Sequence, residues 1–244
     1  NGRTDAIHMF SGNESAKSEL VVNGDLEVTA INGGNKAMGI YAGGNAVVTV
    51  NGNVKMNNGE EWAVDGKQGS FGYYDAVGIY ATSNMGPNSM GAQVVVNGDV
   101  DMKVLGNGMF TNAGGSTIDT KGDVAVEVKK DNRKGYAALR AEDGVVNVNV
   151  VKDGSGKVTG ADSHKVTIKG NVTASTSAVF GADEAGKDTR INLGLSTADS
   201  SLTGVVVNQF PAEGKEAQGT TFTGEISLYL QNGATWNNEA YGKP

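Results

Sequence analysis

One short phrase constrains this chain more than any other feature. It reads Val-Val-Asn-Gly-Asp-Leu from Val21 to Leu26, Val-Asn-Gly-Asn-Val from Val50 to Val54 and Val-Asn-Gly-Asp-Val from Val96 to Val100. Two variants follow, Lys-Gly-Asp-Val from Lys121 to Val124 and Lys-Gly-Asn-Val from Lys169 to Val172. The five glycines, Gly24, Gly52, Gly98, Gly122 and Gly170, are separated by 28, 46, 24 and 48 residues. Those intervals read as one, two, one and two units of a period in the low twenties. A period of that length is one coil of a parallel β-solenoid, in which no coil buries its apolar face alone and each must stack on its neighbours. A second phrase, Gly-Ile-Tyr-Ala, occurs at Gly39–Ala42 and Gly78–Ala81, with an echo in Ala138-Leu139-Arg140-Ala141. It falls between copies of the first.

The local pattern fits the same geometry. Apolar residues alternate with polar ones around each glycine, as in Val48, Val50, Val54 and Met56, in Val124, Val126 and Val128, and in Val166, Ile168 and Val172. A period of two is the mark of a half-buried strand. Gly followed by Asp or Asn breaks each strand, and several of the five glycines are expected to take positive φ at the coil turns. The Asx residues beside them, Asp25, Asn53, Asp99, Asp123 and Asn171, are candidates for ladders between coils. With copies read as two coils apart, turn chemistry alone also accounts for them. No helical spacing is sustained, and Ala137–Asp143 is expected to form at most a turn of helix. The fold class is therefore all-β, a parallel β-helix over residues 1–244 as a single domain. Dividing by a period of about 24 gives roughly ten coils.

Composition narrows the function. Glycine supplies 37 of 244 residues and proline 3, while a net charge of −7 opposes binding to nucleic acid or an anionic lipid surface. Cysteine is absent, which excludes a disulfide scaffold and a cysteine zinc site. No apolar run reaches 18 residues, and the start at Asn1 without a leader points to an excised or processed piece.

Five stretches interrupt the repeat, at residues 57–75, 83–93, 152–164, 182–190 and 209–219. The third reads as a hairpin with Gly154 and Gly156 at its tip. Such inserts leave a solenoid as loops and are usual places for binding. The first carries Trp62, Phe71, Tyr73 and Tyr74 in a chain that is only 6% aromatic. Those four rings are the candidate ligand-binding residues, and packing of the insert onto the solenoid wall is the competing account of them.

Near the C-terminus, alternating apolar residues from Phe222 to Leu230 lead into Asn232-Gly233-Ala234-Thr235-Trp236, and Ala198-Asp199-Ser200-Ser201-Leu202-Thr203-Gly204 stands upstream. These segments resemble the β-helical passengers of Gram-negative autotransporters, the pertactin-like group. The motif covers about forty residues, and the rest of the chain matches only in style. The resemblance implies a right-handed coil, in keeping with the hand of parallel connections. It implies a segment of a longer exported protein at the bacterial cell surface, anchored through an outer-membrane barrel that this chain does not include. The expected function is that of a non-catalytic adhesin segment. Its expected partners are a host or bacterial surface protein, a glycan, or a second copy of itself.

Catalytic chemistry finds little material. His8 and His164 are far apart, no metal-binding histidine spacing occurs, and no Gly-x-Ser-x-Gly elbow is present. Gly181–Asp188 departs from a phosphate loop because Asp follows Lys187 and Asp183 and Glu184 repel phosphate. Asp153–Lys157 lacks the ligand set of a calcium loop. No cofactor and no metal are expected. Polysaccharide lyases and hydrolases also use β-helices, so a carbohydrate-active enzyme is one alternative, and a purely structural stalk is the other. Asp99 with Asp101 is the best carboxylate pair for an enzyme, and Glu60-Glu61 sits in an insert.

Overall fold

The computed structural model describes residues 4–12, 16–29, 37–57, 76–83, 91–104, 106–128, 136–175, 189–208 and 224–241. Every regular element among them is a β-strand. The described residues make seven successive passes, each lying parallel on the one before. The first holds β1 (Thr4–Ser11), β2 (Ser18–Val22) and β3 (Leu26–Thr29), and the second β4 (Ala37–Gly44), β5 (Ala46–Val50) and β6 (Val54–Asn57). The third holds β7 (Ala76–Thr82), β8 (Gln93–Val96) and β9 (Val100–Val104). In the fourth, β10 (Asn107–Thr120) spans two strand positions and β11 (Val124–Val128) follows. In the fifth, β12 (Leu139–Val148) does the same, a hairpin of β13 (Val150–Lys152) and β14 (Val158–Ala161) intervenes, and β15 (Val166–Lys169) completes the pass. The sixth holds β16 (Val172–Ser175), β17 (Arg190–Leu195) and β18 (Ser201–Thr203), and the seventh β19 (Val206–Val207), β20 (Glu225–Leu230) and β21 (Thr235–Asn237).

A 12-stranded sheet collects the first and second strands of the passes, and a 7-stranded sheet runs β3-β6-β9-β11-β15-β18-β21. Among the described residues all ladders are parallel except the hairpin β13–β14. The core fills the space between the sheets, in columns of like residues set by the register. One column runs Leu20, Val48, Val94, Ile118, Val146, Ile191, Ile226. Its counterpart on the smaller sheet runs Val28, Met56, Met102, Val126, Ile168, Leu202, and the exposed Trp236 follows Leu202 in register. β-branched side chains suit this pleated, half-buried setting, and burying each contributes about 1.5–3 kcal/mol.

Four expectations are corrected here. There are seven passes among the described residues rather than about ten, because inserts lengthen individual passes. The 46-residue interval is one pass and not two: Val54 pairs with Val100, and Val100 with Val124. The fifth copy of the phrase lies at a different corner, since Gly170-Asn171 joins β15 to β16 whereas the other four copies join the second strand of a pass to the third. Finally, of the five glycines only Gly170 has positive φ. Gly52, Gly98 and Gly122 are instead fixed by close approach of main chains. A Cβ on Gly98 would stand 2.5 Å from the carbonyl oxygen of Gly52, and one on Gly122 would stand 2.6 Å from that of Gly98. Ala137–Asp143, expected to form at most a turn of helix, forms none, since Leu139 onward is strand β12.

Candidate interaction surface

With the interval corrected, the Asx residues that the sequence offered as turn formers stand on adjacent passes and bond to one another. The backbone N–H of Asn53 donates to Asp25 Oδ1 at 2.8 Å, that of Asp99 to Asn53 Oδ1 at 2.8 Å, and that of Asp123 to Asp99 Oδ1 at 2.9 Å. The N–H of Lys165 then donates to Asp123 Oδ1 at 2.9 Å. Two residues earlier runs a parallel column of amides, in which Asn51 Nδ2 donates to Asn23 Oδ1 and Asn97 Nδ2 to Asn51 Oδ1, each at 2.7 Å. Asn171 serves its own corner, where its Oδ1 accepts from the N–H groups of Val205 and Tyr241. The tyrosine N–H belongs to a residue whose phenol is pushed up from its ordinary pKa, first by burial and then by the charge of Glu127.

The ladder bears on the enzyme alternative. Asp99 Oδ1 is committed to the Asp123 N–H, while Asp101 stands on the outer face of β9 in register with Lys55. Among the described residues no group of three or more His, Asp or Glu side chains is placed to hold a metal ion. His8 bonds Asp5 at 2.6 Å and His164 lies 3.4 Å from Asp123, so the two histidines sit at separate acidic neighbours.

The Gly-Ile-Tyr-Ala phrase becomes a column of rings. Tyr41 pairs in register with Tyr80, Tyr80 with Phe110, and Phe110 with Arg140. Successive ring centroids are 4.6 Å apart for His8 and Tyr41, 5.6 Å for Tyr41 and Tyr80, and 5.1 Å for Tyr80 and Phe110. The Arg140 guanidinium lies 5.1 Å from the Phe110 centroid, a cation over a ring face. It also bonds the carboxylate of Glu142, which accepts from Asn112 Nδ2 as well. Tyr41, Tyr80 and Phe110 are 3%, 5% and 0% exposed, and with Met38 and Val77 they make a second apolar cluster apart from the main core. The echo Ala138–Ala141 is therefore a true copy, and Gly108-Met109-Phe110-Thr111 is a further copy missed because only its glycine is identical.

The insert at residues 152–164 is the antiparallel hairpin that its glycines suggested. Its base is held by Asn149, which has φ +52 and is fully buried. Asn tolerates this left-handed conformation better than most residues. The Asn149 Nδ2 donates to the carbonyl oxygens of His164 and Gly194 at 2.9 and 3.1 Å, and its Oδ1 accepts from the His164 N–H at 3.2 Å. These bonds close the insert so that β15 resumes in register with β11. At the tip, Asp153 Oδ1 accepts from Ser155 Oγ and from the N–H groups of Ser155 and Lys157, at 2.6, 2.9 and 3.0 Å. Those donors, the serine hydroxyl foremost, hold the Asp153 carboxyl below its ordinary pKa. Lys152 on the hairpin bonds Asp119 of β10, to which Asn147 Nδ2 also donates.

The four candidate ligand-binding rings, Trp62, Phe71, Tyr73 and Tyr74, lie outside the described residues, as does most of the insert at 57–75. The stretches 84–90, 182–188 and 209–219 lie outside them too. No helix among the described residues is long and apolar enough to cross a membrane. Comparison with known proteins adds no relative: no family model matches the chain, and no curated protein and no solved structure matches it.

Proposed function

We propose that this chain is a right-handed parallel β-helix serving as a non-catalytic adhesin segment, part of an autotransporter passenger at the surface of a Gram-negative cell. One observation carries the reading. Passes stay in register across insertions of very different length, so the stack behaves as a scaffold indifferent to what leaves its corners. Asn57 pairs with Lys103 although residues 58–75 and 84–90 intervene, and β15 pairs with β11 although a hairpin leaves between them. A scaffold of that kind presents loops on a stiff rod. The segment from Phe222 to Trp236 adds the resemblance already described. Asp99 and Asp101, the best carboxylate pair, have separate structural surroundings, and no reaction is assigned to them.

The partner in this reading is a host or bacterial surface protein, a glycan, or a second copy, met by the inserts. The insert bearing Trp62, Phe71, Tyr73 and Tyr74 is the first to test. The chain is displayed on a non-adherent bacterium, and attachment to cells and clumping are scored with and without Glu60–Gly72 replaced by two glycines. Adhesion lost with an unchanged β-sheet spectrum supports the reading. Absence of any adhesion or clumping by the intact displayed chain overturns it.

A further inference from the structure

The amide column at the Asn-Gly-Asx corner has a chemical consequence. Asn23, Asn51 and Asn97 are each followed by glycine, and all three are exposed. Next to glycine, nothing on the following residue hinders its backbone nitrogen from attacking the asparagine Cγ. In that step the glycine N–Cγ bond forms, the Cγ–Nδ2 bond breaks, ammonia leaves and the glycine N–H proton passes to solvent base. Water then opens the succinimide at either carbonyl to give aspartate or isoaspartate. The second product lengthens the main chain by one methylene.

The column holds its three members unequally. Asn51 is tied at both ends of its amide, donating to Asn23 and accepting from Asn97 at 2.7 Å each. Its main chain is clamped as well, since Gly52 has Gly24 against one face, 2.4 Å from where a Cβ would stand, and is itself what a Cβ on Gly98 would strike. Asn97 has its Nδ2 held but stands next to Lys121 in the column, where the repeat supplies no further amide. Asn23 has only its Oδ1 engaged, and a Cβ on Gly24 would meet nothing within 4 Å. Attack requires the asparagine Cγ to swing toward the glycine nitrogen, which breaks the ladder bonds first.

We propose that Asn23 and Asn97 are sites of spontaneous deamidation in the folded protein, Asn23 the faster, and that the ladder shields Asn51. The test is to incubate the intact chain at pH 8.5 and 37 °C and to follow the three peptides by mass spectrometry, with isoaspartate detected by its methyltransferase. Conversion at Asn23 and Asn97 is expected to run several-fold ahead of Asn51, and the three rates are expected to converge in concentrated urea. Asn97→Ala, which frees one end of the Asn51 amide, should raise the Asn51 rate several-fold, with the circular dichroism spectrum checking that the fold is kept. Equal rates at the three sites in the folded chain, or an Asn51 rate unmoved by Asn97→Ala with the fold kept, would overturn the proposal. Should that variant unfold, Asn97→Ser, which shortens the side chain, makes the same comparison.

Discussion

The corner between the second and third strands is built in two ways along one molecule. In passes one to four it is a three-residue turn, at residues 23–25, 51–53, 97–99 and 121–123, whose polar groups bond to the neighbouring pass. In passes six and seven the same corner has bonds within the turn beside those to the neighbouring pass, where Ser200 Oγ accepts from the Val166 N–H at 3.0 Å and Asn232 Nδ2 donates to the Ser196 carbonyl oxygen at 2.8 Å. The Ser200 N–H donates to the Thr197 carbonyl oxygen at 2.9 Å, and the Ala234 N–H to that of Gln231 at 3.0 Å. Pass five lies between the two regimes, with its hairpin clamped by Asn149 and the last ladder bond received from Lys165. The strands hardly differ, so the two kinds of corner differ in the turn they make and in what fixes their glycines. Gly52, Gly98 and Gly122 are needed because main chains touch, and the late Gly233 because its φ is +82, beside Asn232 at +52.

This contrast breaks or stands with substitutions. The largest effect is expected at Gly98. Alanine there puts a methyl against backbone atoms that cannot yield, and a loss of about 3 kcal/mol is expected in urea denaturation, at the upper end of overpacking costs. Gly233→Ala meets no such obstruction, its nearest neighbour being Ala198 Cβ at 3.8 Å, and should cost about 1 kcal/mol from φ alone. Equal losses would remove the distinction between the two kinds of corner.

Asn149→Ala comes next. It removes the bonds to His164 and Gly194 and leaves a positive φ on alanine, for about 2 kcal/mol. Hydrogen exchange should show the hairpin amides and those of Lys165–Ile168 losing protection first, and uniform loss across the chain would contradict a local clamp. Asp99→Ala deprives one N–H of its acceptor at an exposed corner and should cost about 1 kcal/mol. The amide of Asp123, on the following pass, is expected to exchange faster, whereas an effect confined to residues 97–101 would mean that the ladder is turn chemistry only.

The smallest effect concerns acid. The Asp153 carboxyl lies below 3.8 in the folded hairpin, so what it contributes is present above the unfolded value and is lost as pH falls through the folded one. An NMR titration should show the Ser155 and Lys157 amides moving with a midpoint below 3.8, without a change in the core. A midpoint at or above that value would mean that the tip bonds are not held in solution.

Much of this was legible beforehand. Period-two alternation around each Asn-Gly-Asx phrase gave parallel strands, and Gly154 with Gly156 marked the hairpin. Pass number was not legible, because spacing alone cannot separate a long insert from an extra coil. Both consist of polar, glycine-rich chain, and only the pairing of Val54 with Val100 decides between them. Nor could sequence tell that glycines 52, 98 and 122 answer to a neighbour and not to their own φ, since both demands select the same residue. The ring column was half visible in Gly-Ile-Tyr-Ala. Its extension through Phe110 to Arg140 was hidden because a ring or a guanidinium can fill the same place in the column. The candidate rings of the insert at 57–75 fall outside the described residues, so their part in binding is carried by the deletion experiment above.

The central claim is that the 46-residue interval from Val54 to Val100 is one pass of the stack. The chain has no cysteine, so engineered pairs report without background. Lys55 and Asp101 are register partners, and Asp101 pairs in turn with Ala125. Neighbouring strands lie about 4.8 Å apart, within disulfide reach, whereas a two-strand separation of roughly 9.6 Å is beyond it. The account predicts that Lys55→Cys with Asp101→Cys closes a disulfide under mild oxidation, while Lys55→Cys with Ala125→Cys stays open. Bridging of 55 to 125, or failure of 55 to join 101 in the folded protein, would contradict it.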